Sequence, residues 1–483
     1  MGRMPPDNPT NLSARLTSIA GEAHVSTDDE ARERLSFDAI DPGRLAARAD
    51  AIESLVDAVV RPATTGEVAD VVRLANELAL SVVPYGGGTG VMGAVIPLSG
   101  GIAIDLRRMD RVLEVRSADR LAVVQPGVVL ADLDAAARVH GLQVAHDPWS
   151  VSIATVGGAI STDSVGYLAS RYGSMGEQVV AYEAVLGDGE IVRTKPLARQ
   201  SSGPMLGRLL SGAEGTMAII TEATIRLFAE PEAREFATVG FDSFEAGYPV
   251  VVRLFDLGLV PALIDLTEED PGDDAQGFHC LLYLGFEGYR EEVEAQRTRA
   301  LAEATAAGGV DIGAQTTQNY WDARHAVAER WSDETRPLRP TERWVNHRWR
   351  AADYLHVSLP VTRVLDYKRL ADGVAVRYGL DIRETAVWTD PRLFSIYLID
   401  PSVGRDGEGA DDVDGNGPPL RRAVDELLAG ALRMEGGVEY CHGLGTKLAS
   451  WAEQEWGDAL LLARRLKHAV DPNGILNPGK LGL

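Results

Sequence analysis

Apolar positions along this chain switch between two spacings, and the switches mark out its elements. Ala58-Val59-Val60 is a short apolar run that stops at Pro62 and predicts a strand. Thr64-x-x-Glu67 then has capping-box spacing, and Val68, Val71, Val72, Ala75 and Leu78 recur at helical period, predicting a helix over 67–78. Ser81-Val82-Val83-Pro84 returns as a strand that runs into a glycine cluster. Strands are predicted at 101–106, 112–116 and 121–125, and a helix at 130–139. Segments 183–186 and 190–193 flank Gly187-Asp188-Gly189, a hairpin turn, and 217–227 is rich in β-formers.

Beyond residue 230 the pattern becomes strand followed by helix: 278–286 then 290–307, and 356–361 then 365–378, with a further strand at 393–400. This predicts an α+β chain whose second half is an open, mainly antiparallel sheet with helices on one face. The stretch 404–419 is acidic and glycine-rich and reads as a mobile surface loop. One amphipathic helix is predicted over 448–470, ending at Asp471-Pro472-Asn473-Gly474.

The chain has 483 residues, too many for one ordinary core, so two domains are expected. Its 47 basic and 71 acidic residues give a net charge of −24, which argues against nucleic acid or an anionic membrane surface as partner. No run of ~18 apolar residues is present, and the polar start at 1–10 lacks the apolar core of a secretion signal. Two cysteines, Cys280 and Cys441, fit a reducing cytoplasm rather than a disulfide framework.

With such a charge, an anionic substrate needs a local basic cluster, and 321–350 supplies one. It holds Arg324, Arg330, Arg336, Arg339, Arg343, Arg348 and Arg350 with four tryptophans, two histidines and no lysine. Guanidinium suits bidentate capture of carboxylate or phosphate, and Arg324 and Arg330 are the candidate anion ligands. The alternative is a solvated segment whose arginines pair with surface acids.

Tyr85-Gly86-Gly87-Gly88-Thr89-Gly90-Val91-Met92-Gly93 is the most informative stretch. Successive glycines let backbone N–H groups converge on a pyrophosphate. No lysine lies within it, so it is not a P-loop. Gly88, Gly90 and Gly93 satisfy GxGxxG, yet Pro97 and Ser99-Gly100-Gly101 interrupt where a Rossmann fold needs a helix to open.

This cluster and seven other ordered segments resemble one family. They are Arg61-Pro62-Ala63-Thr64, Val124-Gln125-Pro126-Gly127, His146-Asp147-Pro148, Thr155-Val156-Gly157-Gly158-Ala159-Ile160-Ser161-Thr162, Tyr172-Gly173, Gly212-Ala213-Glu214-Gly215-Thr216, and Asp471 through Lys480. The chain resembles the vanillyl-alcohol oxidase family of PCMH-type FAD enzymes, which includes D-lactate dehydrogenase, the glycolate oxidase flavin subunit and alkyldihydroxyacetonephosphate synthase. The resemblance implies an N-terminal segment at 1–50 and a two-subdomain FAD-binding domain at 51–230. A cap domain at 231–440 and a C-terminal segment at 441–483 that returns to the first domain would follow.

The resemblance also implies the cofactor contacts. Pro84, Tyr85, Gly86, Gly87, Gly88, Thr89 and Gly90, with Pro148, Trp149, Ser150, Ser152 and Thr155, would wrap the FAD pyrophosphate and ribose. Gly157, Gly158, Ser161 and Thr162 would follow the isoalloxazine and ribityl chain. Glu214, Gly215 and Ile220 would hold the adenine side. The glycine cluster lacks the histidine that carries covalent flavin in some relatives, so non-covalent FAD is expected.

His442, in Tyr440-Cys441-His442-Gly443, matches the family position of a base or substrate ligand, and Tyr397 resembles the catalytic tyrosine of the ether-lipid synthase. A helix-capping histidine and a core tyrosine are the structural alternatives, and Cys441 reads as a packed small residue. No metal site is expected. Asp412-x-Asp414-x-Asn416-Gly417 lacks the closing glutamate of a calcium loop, and Val387 to Leu393 stands where hydroxyacid dehydrogenases carry a metal motif. The leading expectation is an FAD-dependent oxidoreductase that takes hydride from a hydroxy acid or related alcohol, with His442 accepting the proton. It would act on a small, anionic substrate, as a homodimer. The alternatives are a synthase-like transferase with non-redox flavin chemistry and a flavin-binding protein without catalysis.

Overall fold

The computed structural model describes residues 9–41, 44, 54–197, 199, 201–269, 276–343, 352–403 and 418–483. Arg348, Arg350, the Asp412–Gly417 motif and most of the predicted 404–419 loop lie outside the described residues.

The first half holds two sheets. In the smaller, the strands run in the order Val25–Ser26, Ala58–Val60, Ile102–Asp105, Val82–Tyr85, with the last three parallel. Helix Thr65–Glu77 buries Val68, Val71, Val72 and Ala75 against it, as the periodicity requires. Thr64 Oγ1 accepts from the Glu67 N–H at 3.2 Å, while Glu67 reaches back to the Ala63 N–H at 2.7 Å, one residue earlier than in a standard capping box. The second sheet is antiparallel throughout, in the order Val112–Arg116, Leu121–Val124, Ile219–Arg226, Val179–Val185, Ile191–Arg193.

The second half is a seven-stranded antiparallel sheet. Its order is Val310–Gly313, Ala233–Phe241, Cys280–Gly288, Leu263–Glu269, Asp381–Trp388, Leu393–Ile399, Ala352–Ser358. Side chains alternate across a strand, and here one face is apolar: Ile264, Leu266, Leu282, Leu284, Phe394 and Ile396 join one core with residues of helices Phe244–Asp256, Arg290–Ala306, Val364–Tyr378 and Pro419–Arg433. The opposite face is polar and aromatic, and it meets the first half across a cavity.

Two expectations are corrected. The strand expected at 356–361 is Ala352–Ser358, since Pro360 offers no N–H to a ladder. The helix expected over 448–470 begins as a 3-10 turn, Ala449–Trp451, running into Ala452–Trp456, and is broken before Ala459–Val470 because Gly457 takes φ 50°, outside helical space. No described helix is long and apolar enough to cross a membrane.

Candidate active site

The cavity between the halves has a volume of about 600 Å³, within the usual range for a ligand site. Its floor is the glycine cluster, laid against the segment Ile153 to Gly158. A Cβ on Gly87 would sit 2.5 Å from the Ile153 carbonyl oxygen, and one on Gly157 would sit 2.7 Å from Pro126 Cβ. Only glycine lets these backbones approach so closely. The Gly87 N–H is anchored to Thr155 Oγ1 at 3.2 Å. No helix follows the cluster before strand Ile102–Asp105, in keeping with the argument against a Rossmann turn.

Three buried polar residues close this end. Asp38 accepts from the Ile40 and Gly93 N–H groups at 3.1 and 2.9 Å, and burial raises its carboxyl to about 6. Burial raises Glu214 to about 7 against the pull of the Gly445 and Leu444 N–H groups. Its two oxygens lie 3.1 and 3.0 Å from the Gly445 nitrogen, so it ties down the segment that carries His442. Asn477 donates to the Ala94 and Glu214 carbonyls at 2.9 and 2.6 Å, leaving its own buried oxygen without a donor among the described residues.

The opposite wall is the polar face of the seven-stranded sheet. Strands Leu263–Glu269 and Asp381–Trp388 contribute Asp265, Thr267, Glu269, Glu384, Ala386 and Trp388, with Tyr283, Tyr354 and His356 from their neighbours. Tyr320 stacks on Tyr283 at 4.7 Å and donates to Asp265 at 2.7 Å. Tyr354 donates to Glu384, whose carboxyl is raised to about 7 by burial, with Asp265 and Glu269 repelling its charge.

His356 and His442 meet in this wall, ring centres 4.7 Å apart. Burial first, and then His442, Arg44 and Lys447, push the His356 pKa well below the ordinary value, so its imidazole stays neutral. Its Nδ1 bonds Ser395 Oγ at 2.8 Å, and Ser395 bonds Tyr440 Oη at 2.7 Å. Burial opposes charging of His442, but Cys441 and the Glu439 carboxylate, 3.5 Å from Nδ1, raise its pKa to about 10. The pKa values of neighbouring imidazoles are thus pushed in opposite directions.

Of the residues singled out for the cofactor, all but Ser152 line the cavity. His442 and Arg324 line it as well, whereas Tyr397 and Arg330 do not. Tyr397 packs on Tyr354 at 5.4 Å, and Arg330 is exposed. Arg324 is already engaged: its Nε lies 2.8 Å from Asp147, which also binds His325 at 2.8 Å, and its guanidinium stacks 3.6 Å from the Trp321 ring centre. Arg44, the other arginine on the lining, is held 2.7 Å from the buried Asp353, beside Lys447. Sequence reasoning missed His356, Asp38 and Asn477. Asn477 stood inside a quoted motif, but His356 had only its place on an alternating strand to mark it.

Residues 56–195 match the FAD binding domain model, and residues 230–481 match that of FAD linked oxidases, C-terminal domain. The chain belongs to the FAD-linked oxidase family. This FAD-linked oxidase is 30% identical to D-lactate dehydrogenase of Archaeoglobus fulgidus over 434 residues, 88% of this chain and 90% of that one. It is 28% identical to glycolate oxidase subunit GlcD of Bacillus subtilis over 465 residues, 92% of this chain and 94% of that one. Among solved structures, alkyldihydroxyacetonephosphate synthase superposes with a TM-score of 0.77 at 20% identity, over 99% of this chain and 87% of that one, which shows a shared fold. The oxidase is an FAD-dependent oxidoreductase with a PCMH-type α+β fold. The residues present fit that cofactor: a Cβ-free floor admits a flat ring system, and the Asn477 oxygen has no donor among the described residues.

Proposed function

We propose that the enzyme oxidises the carbinol carbon of a hydroxy acid or related alcohol. The observation that carries this reading is the close pair of imidazoles, His356 and His442, with pKa values pushed apart, in the wall facing the glycine floor. When bound, FAD supplies a two-electron acceptor for the carbinol hydride. His356, neutral and oriented through Nδ1 by Ser395, takes the hydroxyl proton at Nε2. His442, charged, holds the substrate oxygen or carboxylate, so the proton-accepting role expected of His442 passes to its neighbour. Asp265 and Glu384 accept hydrogen bonds from further substrate hydroxyls, which favours a substrate that carries them.

The names of the relatives support the hydroxy acid, and the engagement of Arg324 and Arg44 leaves His442 as the group to meet its carboxylate. In this reading residues 51–230 and 441–483 hold the cofactor and 231–440 cover the substrate. Two buried free thiols, Cys280 and Cys441, support a cytoplasmic setting, and the family resemblance a homodimer. The test is anaerobic titration of the FAD-loaded protein with D- and L-2-hydroxy acids, polyhydroxy acids and neutral alcohols. Bleaching of the flavin bands by a hydroxy compound is expected. Flavin that stays oxidised with every member would sink the reading.

A further inference from the structure

The arginine-rich stretch is not consumed by the active site. Arg324 belongs to Asp147, Arg339 binds Glu33 at 2.8 Å, and Arg330 faces outward. Arg336 and Arg343 instead line a second cavity of about 240 Å³, which shares Tyr85 with the first.

Among the described residues around this cavity, arginines outnumber acids. Arg61 and Arg107 share Asp105 at 3.0 and 2.8 Å, and Arg34 pairs with Glu30 at 2.9 Å. Asp28 is spent on the N-terminus of helix Asp29–Arg34, where it accepts from the Ala31 N–H at 2.9 Å. That leaves Arg336 and Arg343, neither of which has an ion-pair partner among the described residues. Arg343 is 5% exposed, and its guanidinium is held by three carbonyl oxygens, of Leu338, Arg336 and Asp38, at 3.2, 3.0 and 3.5 Å. Carbonyls fix its position without neutralising it. Burial lowers the pKa of both groups and neighbouring arginines add to the effect, outweighing the opposite pull of Tyr85, of Asp105 on Arg336 and of Asp38 on Arg343. The ring of Trp331 lies 5.8 Å from Arg343, and its buried indole N–H has no acceptor among the described residues.

A buried cation without a counter-charge is costly, and breaking such a pair is far worse than never forming it. This chain carries 24 more acids than bases, so a structural partner would have been easy to supply. We propose that the second cavity binds a small dianionic oxyanion, a phosphate group or a dicarboxylate, bridged by Arg336 and Arg343. Arg336 can present paired donors to such a group, and Arg343, locked in place by three carbonyls, keeps two of its five N–H groups for it. The site stands behind Tyr85, whose hydroxyl donates to the Phe37 carbonyl at 3.3 Å and whose chain neighbour opens the glycine floor. The anion therefore sits one side chain away from the cofactor cradle.

The test is calorimetric titration of the FAD-loaded enzyme at low salt with inorganic phosphate and, separately, with malonate. The expected result is one saturable site per chain for at least one of the two, the better binder naming the source. Arg336→Gln, a partly exposed position that folding tolerates more readily than Arg343, is expected to weaken it at least tenfold. Arg343→Gln is expected to do the same where it folds, and the exposed Arg465→Gln to leave it unchanged. Three results would overturn the proposal. One is no saturable heat with either anion. Another is affinity indifferent to Arg336→Gln. The third is binding present only without FAD, which would put the anion in the pyrophosphate cradle. None of these readouts uses flavin reduction, so they stand apart from the catalytic reading.

Discussion

Gly87→Ala tests the glycine floor where the structure gives the sharpest number. The added Cβ lies 2.5 Å from the Ile153 oxygen, 3.2 Å from Ala154 Cα and 3.3 Å from the Thr155 nitrogen. The first distance is roughly 0.8 Å inside even a weak C–H···O contact. All three neighbours are backbone atoms, so no side-chain rotation relieves the clash. The segment cannot drift freely either, because the Ile153 and Ala154 N–H groups bond the Ser150 carbonyl at 2.9 and 2.8 Å and Ala154 O accepts from Leu130 N–H at 3.0 Å. Overpacking of this kind costs about 1–3 kcal/mol, and here it parts the two walls that hold the cofactor. Expressed wholly in binding, that is a roughly 5- to 150-fold weaker Kd for FAD. Fluorescence titration of the apoprotein reads the change, with thermal unfolding as a check on folding. Gly373→Ala, on helix Val364–Tyr378 with nothing within 4 Å of the new Cβ, is the control, and it leaves the Kd unchanged. A folded Gly87→Ala protein that binds FAD within twofold of wild type would refute the close-approach argument.

Three other perturbations follow from the same geometry. His356→Asn should retain FAD in a titration yet lower kcat by about 10²-fold or more; near-normal turnover would remove His356 as the base. Asp147→Asn should lower the unfolding free energy by about 3 kcal/mol in chemical denaturation, since it strands Arg324 across the junction of the two halves. Unchanged stability would show that Arg324 is solvated. Glu214, raised by burial from about 4.5 to about 7, binds more protons folded than unfolded between those values, so it favours the folded state below about 4.5 and that contribution is lost as pH rises through about 7. Its share is on the order of 3 kcal/mol, and Glu214→Gln should flatten the fall in melting temperature between pH 4.5 and 8; an unaltered slope would contradict it.

What could be read in the sequence divides along physical lines. The glycine floor was legible because the close approach of backbone at Gly87 and Gly157 admits one residue type, and that demand writes itself into the two glycine runs. The helix after Thr64 was legible because its cap and its buried stripe are local. The strands Leu263–Glu269 and Asp381–Trp388 passed unread because their inner face carries Asp265, Thr267, Glu269 and Glu384, which a local pattern assigns to solvent. Those polar positions turn inward because a cavity lies beneath them. His356 went unnoticed for the same reason. The pairing of Arg324 with Asp147 spans 177 residues, and no local spacing announces it. Likewise, the described arginines from Arg324 to Arg343 form one cluster in sequence but three groups in space: one beside the active site, one at the surface, and one around the second cavity.

In the proposed reaction the carbinol hydride leaves the substrate for the flavin. Anaerobic rapid mixing of the FAD-loaded enzyme with an oxidisable hydroxy acid, and with the same acid deuterated at the carbinol carbon, tests it most directly. Flavin bleaching in step with keto-acid formation is expected, several-fold slower with the deuterated acid. Product formed while the flavin stays oxidised throughout would contradict it and point instead to non-redox flavin chemistry.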